Sequence, residues 1–221
     1  MPTTQPDGYL ALPPTGQGSP VLVLHAWWGL NGTIRAVCDR LAAAGFVVFA
    51  PDLYHGKVTD TIEGAEALSN ALDPASAKSD LAAAVAFLAE HESQLSPAAG
   101  EDKNIAVVGF SLGANFALHL SDADPRRISA VVTFYGTRPG DYNRSRAVYL
   151  GHFAENDEFE PQTEVDALED ALRQAGRLVT FYRYPGTGHW FFEPDRTDAF
   201  DAAAAELAWD RTLAFLKDMS D

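Results

Sequence analysis

Residues 105–114 read Ile105-Ala-Val-Val-Gly109-Phe110-Ser111-Leu112-Gly113-Ala114, and A-N-F-A-L-H-L fills 114–120. An apolar run, β-branched in part, feeds G-x-S-x-G and then a helix-forming stretch. The spacing has a steric reason. A nucleophile held on a very sharp strand-to-helix turn brings the residues two positions to either side into collision, so both are glycine. The turn lifts the serine hydroxyl above the sheet and sets it at a helix N-terminus, where partial positive charge favours a developing anion. An incidental serine in a glycine-rich turn is the plainer alternative. The strand before it and the helix after it favour a nucleophile.

Outward from this segment, short apolar runs alternate with helical patterns. Strands are expected at Val21–Ala26, Phe46–Ala50, Ile105–Phe110, Ala130–Tyr135, Ala147–His152 and Val179–Tyr184, with Tyr9–Leu12 as a short antiparallel edge strand. Helices are expected at Thr33–Ala44, stopped by Gly45, at Ala75–His91, at Thr163–Ala175, stopped by Gly176, and at Asp201–Lys217. This alternation predicts an α/β architecture: a mostly parallel central sheet of about seven strands with helices on both faces. No repeat or long linker interrupts it, so 1–221 is expected to be one domain.

A serine hydroxyl needs a neighbouring base, and histidine titrates in a suitable range. In this fold the chain order is serine, acid, histidine. His189 lies late, in Tyr184-Pro-Gly-Thr-Gly-His189-Trp190, where two glycines suit a turning loop after the last strand. His25 and His55 precede the serine, His91 and His119 lie on helices, and His152 sits within a strand. The acid is expected after the strand ending near His152, in Phe153-Ala-Glu155-Asn-Asp157-Glu158-Phe-Glu160. Asp157 is preferred, because a short carboxylate in a loop is held rigidly, with Glu155 and then Glu158 as alternatives. The acidic spacing does not fit a calcium loop, and no Cys/His cluster suggests zinc, so no metal is expected. Backbone N–H groups of Leu112 and Trp27 are the expected oxyanion donors, Trp27 lying in H-A-W-W-G-L-N at 25–31. Trp28, Tyr54, Trp190 and Glu193 are the expected pocket residues, with core packing the competing role for Trp28.

Composition narrows the function. The 31 acidic and 16 basic residues give a formal net charge of -15. That field repels phosphate backbones and anionic lipids, which argues against nucleic-acid or membrane-surface binding. The single cysteine, Cys38, permits no internal disulfide. The opening MPTTQPDGYL lacks the basic and apolar segments of a signal peptide, and no apolar run nears the roughly 20 residues that span a bilayer. A cytoplasmic protein is therefore expected, as a monomer or homodimer.

The pieces H-A-W-W-G-L-N (25–31), A-P-D-L-Y (50–54), G-F-S-L-G (109–113), F-Y-G (134–136), A-E-N-D-E-F (154–159), G-T-G-H (186–189) and A-W-D-R-T-L-A-F-L (208–216) together resemble the dienelactone hydrolase family, over nearly the whole chain. The resemblance implies a cofactor-free α/β-hydrolase acting on esters or lactones. It also implies the triad Ser111, Asp157 and His189 and oxyanion donors at Trp27 and Leu112. The founding enzymes of the family use cysteine where this chain has Ser111, a glutamate where it has Ala26, and a substrate-binding arginine where it has Glu193. The expected function is a serine hydrolase of small esters or lactones, acting through an acyl-enzyme. Glu193 and the acidic net charge point to neutral rather than anionic substrates. The alternatives are a catalytically silent binding module, or the same triad turned to thioester, peptide or C–C cleavage. Gaps between elements are too short for a lipase-sized lid.

Overall fold

Along β2 (Pro20–Leu24), Val21 and Val23 face one apolar layer while Leu22 and Leu24 face the other. In β4 (Ile105–Phe110), Ala106, Val108 and Phe110 join the first layer and Ile105 and Val107 the second. Successive side chains of a strand point to opposite faces, so strands with no polar side are buried on both. The computed structural model describes residues 4–95 and 104–219, with the side chains of 91–95 left out. The remaining strands are β1 (Gly8–Ala11), β3 (Val47–Pro51), β5 (Ile128–Phe134), β6 (Val148–Ala154) and β7 (Val179–Tyr184). They form one sheet of order β1-β3-β2-β4-β5-β6-β7, with β1 antiparallel to β3 at the edge and every other pairing parallel.

Helices α1 (Gly32–Ala43) and α6 (Ala202–Asp218) cover one face, through Ile34, Val37 and Leu41 and through Ala208, Trp209 and Leu216. The other face is covered by α3 (Pro74–Leu95), α4 (Leu112–Ala123) and α5 (Gln162–Gln174). Helix α5 buries Val165, Leu168 and Leu172, a helical stripe at i, i+3 and i+7. Gly45 and Gly176 lie just past α1 and α5 with φ of +106° and +74°, the left-handed conformation a helix stop favours.

Three differences from the sequence reading have physical causes. The strand expected at Val21–Ala26 ends at Leu24. His25 leaves the ladder, and its buried ring accepts the Leu53 N–H at Nε2. The strand expected to start at Ala147 runs instead over Val148–Ala154, down to the acid loop. A helix, α2 (Ile62–Ala71), occupies a stretch where none was expected. It buries only Ala65, so it lacks the apolar periodicity that reveals a helix, and it is started by Thr61, whose hydroxyl accepts the Gly64 N–H. The expected helix end at His91 lies outside the residues whose side chains are described, although the helical backbone continues to Leu95.

Desolvation pushes several buried groups far from their ordinary ionisation, His152 and Cys38 among them. His152 sits in β6 between Tyr184 Oη, 2.8 Å from Nδ1, and Thr212 Oγ1, 3.0 Å from Nε2, and burial lowers its pKa to about 3. Cys38, wholly buried on α1, is raised to about 12. No helix among the described residues is long and apolar enough to cross a membrane. Because both exposure and thiolate are denied to it, Cys38 is expected to resist iodoacetamide in the native protein and to react only in denaturant. Mass-spectrometric detection of native alkylation would contradict that burial.

Candidate active site

Ser111 has φ +50° and ψ −110°, a conformation side chains rarely adopt and one that costs about 1–3 kcal/mol. Its surroundings leave little choice. A Cβ on Gly109 would overlap the Gly113 carbonyl, and one on Gly113 would overlap the Leu24 carbonyl oxygen. A Cβ on Gly136 would come within 2.6 Å of the Ser111 carbonyl oxygen, which accounts for the glycine of F-Y-G. The Ser111 N–H donates to Phe134 O at 2.9 Å, tying the turn to β5.

The loops after β6 and β7 are stitched together beside this turn. Asn156 N–H donates to Thr187 O at 2.9 Å, and Gly186 N–H to Glu155 Oε2 at 2.8 Å. The stitching presents Asp157 to His189: Nδ1 lies 2.8 Å from Oδ2 and 2.9 Å from Oδ1. On the far side of the ring, Nε2 lies 3.1 Å from Ser111 Oγ. An ionised carboxylate only accepts, so the proton on a neutral His189 belongs on Nδ1, leaving Nε2 to accept from the serine hydroxyl. Asp157 Oδ1 also accepts the backbone N–H groups of Phe159 and Glu160, each at 2.9 Å. Glu155 holds Gly186 instead, and Glu158 lines a different cavity.

Above Ser111 opens a cavity of about 360 Å³. Of the four expected pocket residues Trp190 lines it, and so do Trp27 and Leu112, the two expected oxyanion donors. Leu112 opens α4, where a helix N–H has no partner within the helix, and among the described residues the Trp27 N–H donates to no backbone carbonyl. Four further lining residues went unnoticed in the sequence: Asn115, Thr137, Phe159 and Glu160. Asn115 stands four residues after Ser111, on the same helix face, so that one was within reach of a spacing argument. Its amide donates to Thr137 O at 3.2 Å and its Oδ1 accepts from Arg138 at 2.7 Å. Glu160 accepts from Thr137 Oγ1 at 2.7 Å, and partial burial raises its pKa. Among the described residues no group of three His, Cys, Asp or Glu side chains converges as metal ligands would.

Three expected pocket residues lie elsewhere. Trp28 is buried in the core against Trp190, with the Arg196 guanidinium stacked 3.8 Å above its ring. Tyr54 is buried too, and lines a separate cavity with Lys57 and Leu72. Glu193 is wholly buried and cannot face a substrate in the Ser111 cavity. Its Oε1 accepts from Tyr135 Oη at 2.7 Å, and the Tyr135 ring packs 4.9 Å from that of His189. Tyr135 has φ +37°, so Glu193 braces a strained residue wedged between the serine turn and the histidine. Desolvation raises the Glu193 pKa to about 8, and its Oε2 has no partner among the described residues.

The profile of the dienelactone hydrolase family matches residues 7–220. "Protein usf" of Aquifex pyrophilus is 35% identical over 96% of this chain and 92% of its own length. A protein of Aquifex aeolicus named "Putative carboxymethylenebutenolidase" is 30% identical over 95% of this chain and 92% of its own. The crystal structure titled "Putative Dienelactone Hydrolase", from Klebsiella pneumoniae, superposes with a TM-score of 0.79 at 26% identity, covering 94% of this chain and 90% of that one.

Glu193 carries a pH dependence of known sign. Unfolded, it ionises near 4.5; folded, it keeps its proton to about pH 8. Between those values the native state binds more protons, so stability falls as pH rises and the loss is complete above about 8. Glu193→Gln keeps the acceptor for Tyr135 but cannot ionise. Its Tm relative to the parent is expected to climb by several degrees between pH 5 and pH 9, and parallel curves would place the carboxyl in a wetter site.

Proposed function

The chain belongs to the dienelactone hydrolase family, whose members are hydrolases acting on ester bonds, and we propose that it is a serine hydrolase of small esters or lactones, working through an acyl-enzyme on Ser111. The observation that carries this reading is the unbroken line from Asp157 through His189 to Ser111. The butenolide in the name of the A. aeolicus relative, a lactone, supports the lactone half.

In this reading the whole chain acts as one domain, and each group has one task. Asp157 fixes the Nδ1–H tautomer and steadies the imidazolium when it forms. Nε2 takes the serine proton as Oγ attacks the carbonyl carbon. The oxygen, now negative, moves toward the N–H groups of Trp27 and Leu112, where a pair of fixed donors contributes about 3–4 kcal/mol or more to the transition state. The tetrahedral intermediate collapses, and the leaving alkoxide takes the proton from Nε2. Water then repeats the sequence on the ester of Ser111 and frees the acid. A silent binding module would have no use for a serine held at 1–3 kcal/mol of strain within reach of an oriented imidazole. Thioester, peptide and C–C cleavage remain chemically open to the same triad. An open cavity of small volume lined by aromatic rings favours small esters.

Ser111→Ala and His189→Ala are each expected to lower kcat on p-nitrophenyl acetate by more than about a thousandfold, and the double variant by little more than either. Asp157→Asn is expected to be nearly as damaging, because it disrupts the tautomer. Glu155→Gln should cost far less, since it touches the loop and not the ring. A fluorophosphonate should label the parent and not Ser111→Ala. Unimpaired turnover in Ser111→Ala would end the proposal.

Substrate charge is a second expectation. Among the described residues no lysine or arginine lines the Ser111 cavity; Arg138 bonds to Asn115 behind it, and Glu160 faces in. Neutral esters or lactones should therefore have a higher kcat/KM than matched carboxylates, with the gap narrowing at high salt as the field of the -15 charge is screened. Preference for the anion at both salt concentrations would refute this.

A further inference from the structure

Beyond His189 lies a second cavity, of about 490 Å³, larger than the one above Ser111. The two share Phe159, His189 and Trp190 among their walls. Ser111, Leu112 and Asn115 belong only to the first; Gly186, Gly188 and Phe200 only to the second. The side chains flanking Phe159 diverge, Glu158 into the second cavity and Glu160 into the first. The phenyl ring therefore stands on the boundary. It packs against His189 at 5.1 Å, Trp190 at 4.9 Å and Trp27 at 5.9 Å between centroids, yet the residue is 44% exposed.

We propose that Phe159 is a movable partition between the two cavities, and that the second cavity receives the alcohol portion of esters too long for the first. This rests on the reading of Ser111 as nucleophile. Two arguments carry it. The first concerns what is free to move. The Phe159 and Glu160 N–H groups are both bonded to Asp157 Oδ1, so the backbone is pinned to the triad while the ring is held by edge and tilted contacts alone. Rotation about the Phe159 side-chain torsions opens the boundary without disturbing Asp157, and a half-exposed ring makes that turn on a fast timescale. The second concerns direction. His189 Nε2 gives its proton to the leaving oxygen, so the alcohol lies on the histidine side of the reacting carbon and the acyl group away from it. The second cavity is walled by His189 and its own loop, which makes it a leaving-group subsite. For a lactone, the same subsite takes a substituent on the alkoxy carbon.

The test uses two ester series on the full chain. One varies the alcohol of acetates from methyl to octyl; the other varies the acyl group of p-nitrophenyl esters from acetate to octanoate. Phe159→Ala is expected to raise the octyl-to-methyl ratio of kcat/KM by about threefold or more, since the longer chain gains room along Trp190, Ala199 and Phe200, the apolar part of a wall that also carries Glu158, Asp198 and Asp201, and to leave the octanoate-to-acetate ratio within about twofold. Phe159→Trp should lower the octyl-to-methyl ratio. Asp198→Trp, which fills the second cavity away from Ser111, should cancel the gain when combined with Phe159→Ala. Fluorophosphonate labelling separates the possible failures. A parent protein that is neither labelled nor active overturns the nucleophile assignment and this subsite with it. A protein that is labelled and active, but whose alcohol profile is unmoved by Phe159→Ala, or whose acyl profile moves instead, overturns the partition alone.

Discussion

The first turn of α4 passes so close over the end of β2 that a side chain on Gly113 would overlap the Leu24 carbonyl oxygen. That crossing sets the shape of the serine turn. With Gly113 pressed on β2, the chain must leave β4 at once, and a Cβ on Gly109 would meet the Gly113 carbonyl. Ser111 between them is driven to φ +50°. The strain is sustained because both strands involved are wholly buried, so relaxing the turn would open the core on both faces of the sheet. The same geometry leaves the Leu112 N–H at the helix start without an intrahelical acceptor.

Two carboxyl groups close to His189 are treated in opposite ways. Asp157 is almost wholly buried, but three N–H groups converge on it: those of Phe159, Glu160 and the imidazole. Burial of a charge is tolerable when its hydrogen-bonding capacity is met in this way. Glu193 is equally buried and receives a single hydroxyl, from Tyr135. Lacking a second donor, it is pushed toward the neutral form. The contrast explains why an acidic residue at position 193 is compatible with the fold. A neutral carboxyl there packs as a polar core group and exerts no charge on the cavity.

How much the sequence disclosed depended on whether a residue's role left a local trace. The glycines at 109 and 113 and those at 45 and 176 were legible because backbone conformation demands them at fixed offsets. The expected order of serine, acid and histidine corresponds to what the loops bring together, because each group follows its own strand. The double-sided burial of the strands was legible in unbroken apolar runs. By contrast, α2 buries one alanine and has no stripe to read. Trp28, Tyr54 and Glu193 were misplaced for a shared reason: proximity in sequence to a site residue does not say which way a side chain points. Trp27 and Trp28 are neighbours, yet one lines the cavity and the other is buried under Arg196. Phe159 and Glu160 carried no signal, since their role arises only where the acid loop meets the histidine loop.

That meeting also explains the aromatic run after the histidine. In the sheet, β7 lies three strands from β4, across β6 and β5, a span of about 14 Å at ~4.8 Å per strand. His189 follows β7, yet its ring must reach the serine that follows β4. Asp157, in the loop after β6, starts one strand nearer. The loop is carried across by its own side chains. Phe192 packs against Phe110 and Phe134 at the ends of β4 and β5, with centroids 5.5 and 4.6 Å away, and Phe191 is buried against Tyr135 and Tyr184. Trp190 takes φ +66° to let the chain turn between the histidine and these anchors. W-F-F at 190–192 is thus the tether that draws the base back over the sheet. Shortening either phenylalanine would lengthen the 3.1 Å approach of Nε2 to Ser111 Oγ before it changed any residue of the triad.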